Sequence, residues 1–248
     1  MRKAAGGFTA LILCTVAAAA PARDALPQDF VHLHDVDASI EQDMRYATAD
    51  NFTGAALPGY AADCLLRRDV AQALARVQKD LEAQGLGLKV YDCYRPTRAV
   101  VAMARWAHGA GDDTRRFYPR LDKRQLFALG YIAAQSAHST GTAVDLTLIE
   151  RGAPPAVRFN RAAHYGACTA GPSERAPDNS LDMGTGFDCF DDKSATASAA
   201  IGAEQKRRRG VLVAAMRRRG FHNYPREWWH FSYGARPQQA YDVPIAPR

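Results

Sequence analysis

Two short segments of the chain carry residues able to hold a metal and move a proton. In Ser136-Ala137-His138-Ser139-Thr140-Gly141-Thr142-Ala143-Val144-Asp145 an imidazole and a carboxylate stand seven residues apart, at the entrance to an apolar run. Near the C-terminus, Glu227-Trp228-Trp229-His230 adds a second carboxylate and a second imidazole. A third segment, Tyr91 to Pro96, places Arg95 next to a proline suited to the first turn of a helix. Imidazole nitrogens and carboxylate oxygens are zinc donors, and three protein donors with an open position make a catalytic rather than a structural site. His138, Asp145 and His230 supply such a set. Glu227 is left over as a base for an activated water, and Arg95 offers a planar fork of donors to an anionic oxygen. A histidine and an aspartate at this spacing also serve as a structural hydrogen bond, so residue types alone leave both readings open. Strand geometry adds a tension, because residues 227 and 230 lie on opposite faces of a regular strand. Both reach one site only if a bulge or turn intervenes, or if one of them precedes the strand.

The elements that must position these groups are legible from periodicity. Val70, Ala73, Leu74, Val77 and Leu81 form one apolar stripe, which predicts a helix over Asp69–Gln84 ended by Gly85 and Gly87. Leu86, Leu88 and Val90 alternate with other residues and predict a strand running into Tyr91–Arg95. A helix from Thr97 to about His108 follows Pro96. Ala143–Ile149 reads as a buried strand, Gly152–Ser180 as a Pro/Gly-rich loop region, and Ala203–Arg219 as a helix stopped by Gly220. Trp228–Tyr233 reads as a short aromatic strand. Helices and strands mix without regular βαβ alternation, which predicts an α+β fold rather than a doubly wound sheet.

Composition bounds the function classes. The 248 residues are 47% apolar and 23% charged, which excludes a disordered chain, a collagen-like repeat and a polytopic membrane protein. Arg2 and Lys3 precede an uncharged run from Phe8 to Ala20, and Ala20-Pro21-Ala22 has the small residues of a signal-peptidase site. The reading is a signal peptide over residues 1–22, cleaved after Ala22, and an exported, periplasmic domain over 23–248. No stable membrane insertion is expected, since a span needs about 20 strongly apolar residues. Cleavage removes Arg2 and Lys3 and lowers the formal charge from +6 to +4. Lys206–Arg209 and Arg217–Arg219 then read as a solvated helix face, with no nucleic-acid partner. His32, His34, His108, His164 and His222 read as loop or surface residues, and Trp106 as a helix-packing aromatic. Cys64, Cys93, Cys168 and Cys189 remain in a compartment that oxidises thiols. Three pairings are possible; Cys64–Cys93 and Cys168–Cys189 are favoured, the second closing a loop of about twenty residues. A zinc site of cysteines lacks the required close spacing.

The motifs together resemble the zinc D-alanyl-D-alanine dipeptidases of the vancomycin-resistance type, over about residue 28 to the C-terminus. That family's S-x-H-x-x-G-x-A-x-D stands here as Ser136, His138, Gly141, Ala143 and Asp145, its E-W-W-H as Glu227 to His230, and its D-x-Y-R-P as Asp92, Tyr94, Arg95 and Pro96. The dipeptidase branch adds Y-A-T-x-D-N-F-T-G, here Tyr46 to Gly54, and M-G-x-x-F-D, here Met183, Gly184, Phe187 and Asp188. These last two separate dipeptidases from D,D-carboxypeptidases.

The resemblance implies a single α+β domain with a mainly antiparallel sheet flanked by helices, in the zinc fold shared with the hedgehog signalling domain. It implies one zinc per chain on His138, Asp145 and His230, with Glu227 as the base and Arg95 as the oxyanion stabiliser. It further implies that Asp188 and Tyr46 bind the ammonium of a small dipeptide and that Ser136 binds its carboxylate. Two departures stand out. Ala137 occupies a position where a second serine occurs, and Asn160–Asp182 is longer than in the cytoplasmic resistance enzymes, so this loop is a candidate lining of the pocket. The expected activity is hydrolysis of D-alanyl-D-alanine in cell-wall fragment turnover. The alternatives are a D,D-carboxypeptidase trimming peptidoglycan stems and a non-catalytic zinc-containing cell-wall binding module, which would have no need of Glu227.

Overall fold

The computed structural model describes residues 25–155, 157–234 and 239–247. The expected signal peptide, residues 1–22, lies outside the described residues. In chain order the regular elements are β1 (Phe30–His32), α1 (Leu33–Val36), β2 (Glu41–Gln42), β3 (Leu65–Arg67), α2 (Arg68–Glu82), β4 (Leu86–Asp92), α3 (Thr97–His108), β5 (Ala143–Glu150), α4 (Ala203–Arg218), β6 (Phe221–Asn223) and β7 (His230–Tyr233). Strands β1 and β3 form a two-stranded ribbon, and the main sheet has the order β2-β4-β5-β7-β6. Only the short β2 pairs in parallel, with β4; the other pairs of the main sheet are antiparallel. The expected α+β class and mainly antiparallel sheet are what the chain adopts.

The apolar stripe of α2 (Val70, Ala73, Leu74, Val77 and Leu81) is wholly buried, each such side chain contributing about 1.5–3 kcal/mol. Helix α2 packs on β4 and on α4, which in turn packs on β5 and β6. The alternation of β4 sends Leu88 and Val90 into this apolar layer, while Lys89 and Tyr91 meet Asp178 on the opposite side. From Gly152 to Ser180 the described residues form no helix or strand, only a bridge from Ser180 to Ile149. Both expected disulfides are present, with Cα–Cα distances of 5.3 Å for Cys64–Cys93 and 5.4 Å for Cys168–Cys189.

Three expectations need correction. The aromatic strand starts at His230, not Trp228, because residues 225–229 turn. Within the basic run, Arg209 is buried rather than solvated: its guanidinium donates to the carbonyls of Met183, Ala195 and Lys193. His32 is not a bare surface residue, since its Nδ1 lies 2.6 Å from Asp63 Oδ2. Trp106 packs as expected, edge-on to Phe52 and Tyr118.

Candidate active site

Sheet register assembles one half of the site. Asp92 of β4 stands opposite Asp145 of β5, which stands opposite His230 of β7, so three neighbouring strands present one row of polar side chains. His138 arrives from the 3-10 turn Ala137–Thr140 that leads into β5. Gly141 closes that turn with φ +74°, and a Cβ there would sit 2.5 Å from the Phe30 ring, so both the backbone and the packing require glycine.

The donor atoms of His138, Asp145 and His230 all lie within 4.8 Å of one another. His138 Nε2 is 3.1 Å from His230 Nδ1 and 3.2 Å from Asp145 Oδ1, and His230 Nδ1 is 2.9 Å from the same oxygen. His138 Nδ1 is 2.8 Å from the Cys93 carbonyl, which can only accept. That contact places the proton on Nδ1 and leaves the Nε2 lone pair facing the other two donors. Two imidazoles and a carboxylate converging with free lone pairs fit a divalent cation. Burial opposes ionisation of Asp145, yet His138 and His230 together hold its carboxyl well below the usual range.

Glu227 solves the strand problem by standing before the strand. The turn that ends in a bond from the His230 N–H to the Glu227 carbonyl brings both side chains to one cavity. The Glu227 carboxylate accepts no hydrogen bond from any described residue. Burial, with Asp145 and Asp188 nearby, pushes it well above the ordinary glutamate range, against the pull of Arg95. Arg95 is held by Asp92, whose Oδ2 accepts from Nε at 3.0 Å and Nη2 at 2.7 Å. The other oxygen of Asp92 accepts from Tyr60 Oη at 2.8 Å. In the sequence Asp92 is marked by the D-x-Y-R-P motif, whereas nothing local marks Tyr60.

Opposite this group, Tyr46 Oη donates to Asp188 Oδ2 at 2.6 Å. Asp188 is buried and is pushed up to about 8, first by burial and then by Asp145, against the Tyr46 bond and Arg95. Its φ is +54°, and no other non-glycine among the described residues has positive φ. Such a conformation costs on the order of 1–3 kcal/mol and persists where surroundings over-determine it. Ser136 Oγ accepts from the His138 N–H at 3.3 Å.

One cavity of about 300 Å³ is lined by Tyr46, Arg95, Ser136, His138, Asp145, Asp188, Glu227 and His230. Trp229 forms part of its apolar wall, while Trp228 turns away to bond Thr185. The structure thus brings every sequence-derived site residue to a single pocket. Asn160–Asp182 does not line it. That loop instead bounds a separate small cavity with Arg45, Asp50 and Arg116.

The family described as D-ala-D-ala dipeptidase (Peptidase_M15) matches residues 27–157 and 166–246. The chain belongs to this family. Among its relatives is the D-alanyl-D-alanine dipeptidase of Streptomyces coelicolor, 34% identical over 88% of this chain and 98% of the relative. Enzymes of the same description from Enterococcus faecium and Escherichia coli strain K12 are 31% and 32% identical, over 87% and 82% of this chain and 98% and 83% of their own lengths. Membership makes the chain a metallopeptidase, and the constellation just described is its candidate active site.

Proposed function

We propose that this chain hydrolyses D-alanyl-D-alanine with one zinc ion, outside the cytoplasm, in the turnover of cell-wall fragments. The observation that carries the reading is the single cavity of about 300 Å³ that holds three metal donors, the Glu227 carboxylate and Asp188 together. That volume is at the small end of ligand pockets, roughly 300–1,000 Å³. The two disulfides support an oxidising compartment.

His138, Asp145 and His230 would hold the cation; when bound, it supplies Lewis-acid polarisation of the scissile carbonyl and makes an attacking water more acidic. Glu227 takes the proton of that water and delivers it to the leaving amine. Among the described residues no donor holds its carboxylate, which leaves both oxygens available for the exchange. Arg95, fixed by Asp92 through Nε and Nη2, directs Nη1 toward Met103 Sδ, which is a weak acceptor, so this donor is available to the oxyanion. Asp188 and Tyr46 bind the substrate ammonium, and Ser136 its carboxylate. A buried Asp188 left without an ammonium is costly, which disfavours blocked or longer peptides.

The decisive experiment releases D-Ala from free D-Ala-D-Ala and from a stem pentapeptide side by side, detected with ninhydrin, together with metal analysis of the purified protein. Turnover of the dipeptide alone, with about one equivalent of zinc, is the expected result. Preferential cleavage of the pentapeptide would make the enzyme a D,D-carboxypeptidase, and no turnover of either would leave a binding module.

A further inference from the structure

The residue after Asp188 is Cys189, and its disulfide partner Cys168 belongs to the loop Asn160–Asp182 that stays out of the active-site cavity. Residues 186–190 lie in neither helix nor strand, so no sheet or helix ladder fixes the left-handed conformation of Asp188. Besides the Tyr46 bond to its carboxylate and the Ser194 hydroxyl, which donates to the Cys189 carbonyl at 2.6 Å, backbone bonds hold it on either side. The Gly186 N–H donates to the Cys168 carbonyl at 2.8 Å, and the Phe190 N–H donates to the Phe117 carbonyl at 2.8 Å. Cys168 is itself tied to the same stretch, its N–H donating to the Arg116 carbonyl at 2.8 Å. The disulfide closes this arrangement at the position next to Asp188. On the other side Phe187 stacks on Tyr91 at 4.5 Å between ring centroids.

We propose that the Cys168–Cys189 crosslink is a positioning element that holds Asp188 in its left-handed conformation, aimed into the cavity, and so sets recognition of the substrate ammonium. The proposal rests on the reading of Asp188 as the ammonium partner. It gives the inserted loop a role in the reaction without contact to substrate: the loop carries Cys168, and Cys168 holds the neighbour of Asp188. The crosslink acts on binding, because Glu227, Arg95 and the three metal donors lie on other segments.

The test compares the full chain with a Cys168→Ala/Cys189→Ala pair, each with and without Asp188→Asn, using kcat and KM for free D-Ala-D-Ala. Loss of the crosslink should raise KM about tenfold and change kcat by less than about threefold. In the Asp188→Asn background the same loss should change KM by less than about twofold, because the two changes act through one contact. Equal loss in both backgrounds, a fall in kcat with KM unchanged, or an unaltered KM would each overturn the proposal. If Asp188→Asn alone leaves KM unchanged, the ammonium reading fails first, and the two failures are told apart. A Cys168→Ser/Cys189→Ser pair covers the case in which the alanine pair does not fold. Failure of both pairs to fold would assign the crosslink to stability and overturn its role in recognition.

Discussion

Glu227 and Asp188 are both buried carboxylates on irregular backbone, and the groups around them separate their roles. Glu227 meets no hydrogen-bond donor among the described residues, so its oxygens are free for a proton, whereas Asp188 is already held by Tyr46. Glu227→Gln is nearly isosteric but cannot accept a proton; the expected loss in kcat is at least about 10²–10⁴-fold with metal content unchanged, checked by turnover and metal analysis on one preparation. Asp188→Asn should lower kcat/KM for the free dipeptide by about one to two decades, from the loss of a charge-assisted bond. An N-acetylated dipeptide has no ammonium to lose and should be indifferent to the change. An unaltered ratio of free to acetylated hydrolysis would make Asp188 structural and favour the carboxypeptidase reading. At this scale the sequence was highly legible, since each site residue sits in a short motif whose chemistry can be read from residue types. Asp92, Tyr60 and the Cys93 carbonyl were less so, because their work is to orient other groups across 3 to 45 residues of chain.

Elements were legible where a period announces them. The stripe of α2 and the apolar run of β5 form close to their expected bounds, whereas β7 is shorter than its aromatic content implies because a turn is needed to deliver Glu227. Helix α4 shows the limit of reading charge runs by type. Arg209 sits among five other basic residues of the same helix, yet it alone is fully buried, ending on three carbonyls of the chain segments 183 and 193–195. Its burial pulls the guanidinium down to about 10, against the weaker support of Asp182. Those carbonyls lie on either side of Asp188 along the chain, so Arg209 ties α4 to the segment that carries it, beside Gln205 and Arg208, which both bond Asp182. Arg209→Ala should destabilise the protein by about 2–4 kcal/mol, seen as a lowered denaturation midpoint, because buried acceptors lose a charged donor. Arg207→Ala, on the solvated face of the same helix and paired among the described residues with Glu204, should leave the midpoint nearly unchanged. Equal effects would mean that the buried network contributes no more than a surface pair.

For the molecule as a whole, the polar groups under the sheet are as much part of the fold as the apolar layer above it. Lys89, wholly buried at the centre of β4, pairs with Asp178, which also accepts from Tyr91 at 2.6 Å and Arg45 at 3.3 Å. This cluster joins the 45–50 turn, strand β4 and the end of the inserted loop. No periodicity marks it, because its members lie up to 133 residues apart and only the folded chain brings them together. Burial favours the neutral acid at Asp178, but Arg45 and Lys89 outweigh it and hold the carboxyl at about 2. In the unfolded chain an aspartate titrates near about 3.9, so the unfolded state binds this proton first as pH falls. The lowered folded value therefore adds stability that is fully present above about pH 4 and is lost as pH drops toward 2, amounting to about 2 kcal/mol. Asp178→Asn leaves Lys89 and Arg45 buried with less counter-charge and should be less stable than the parent at pH 6. Its stability should then fall less steeply between pH 5 and pH 2, because this proton no longer distinguishes the two states. Urea midpoints across that window measure both effects; parallel pH profiles for the two proteins would show that Asp178 does not supply the acid sensitivity and that the cluster's ionisation is not coupled to folding.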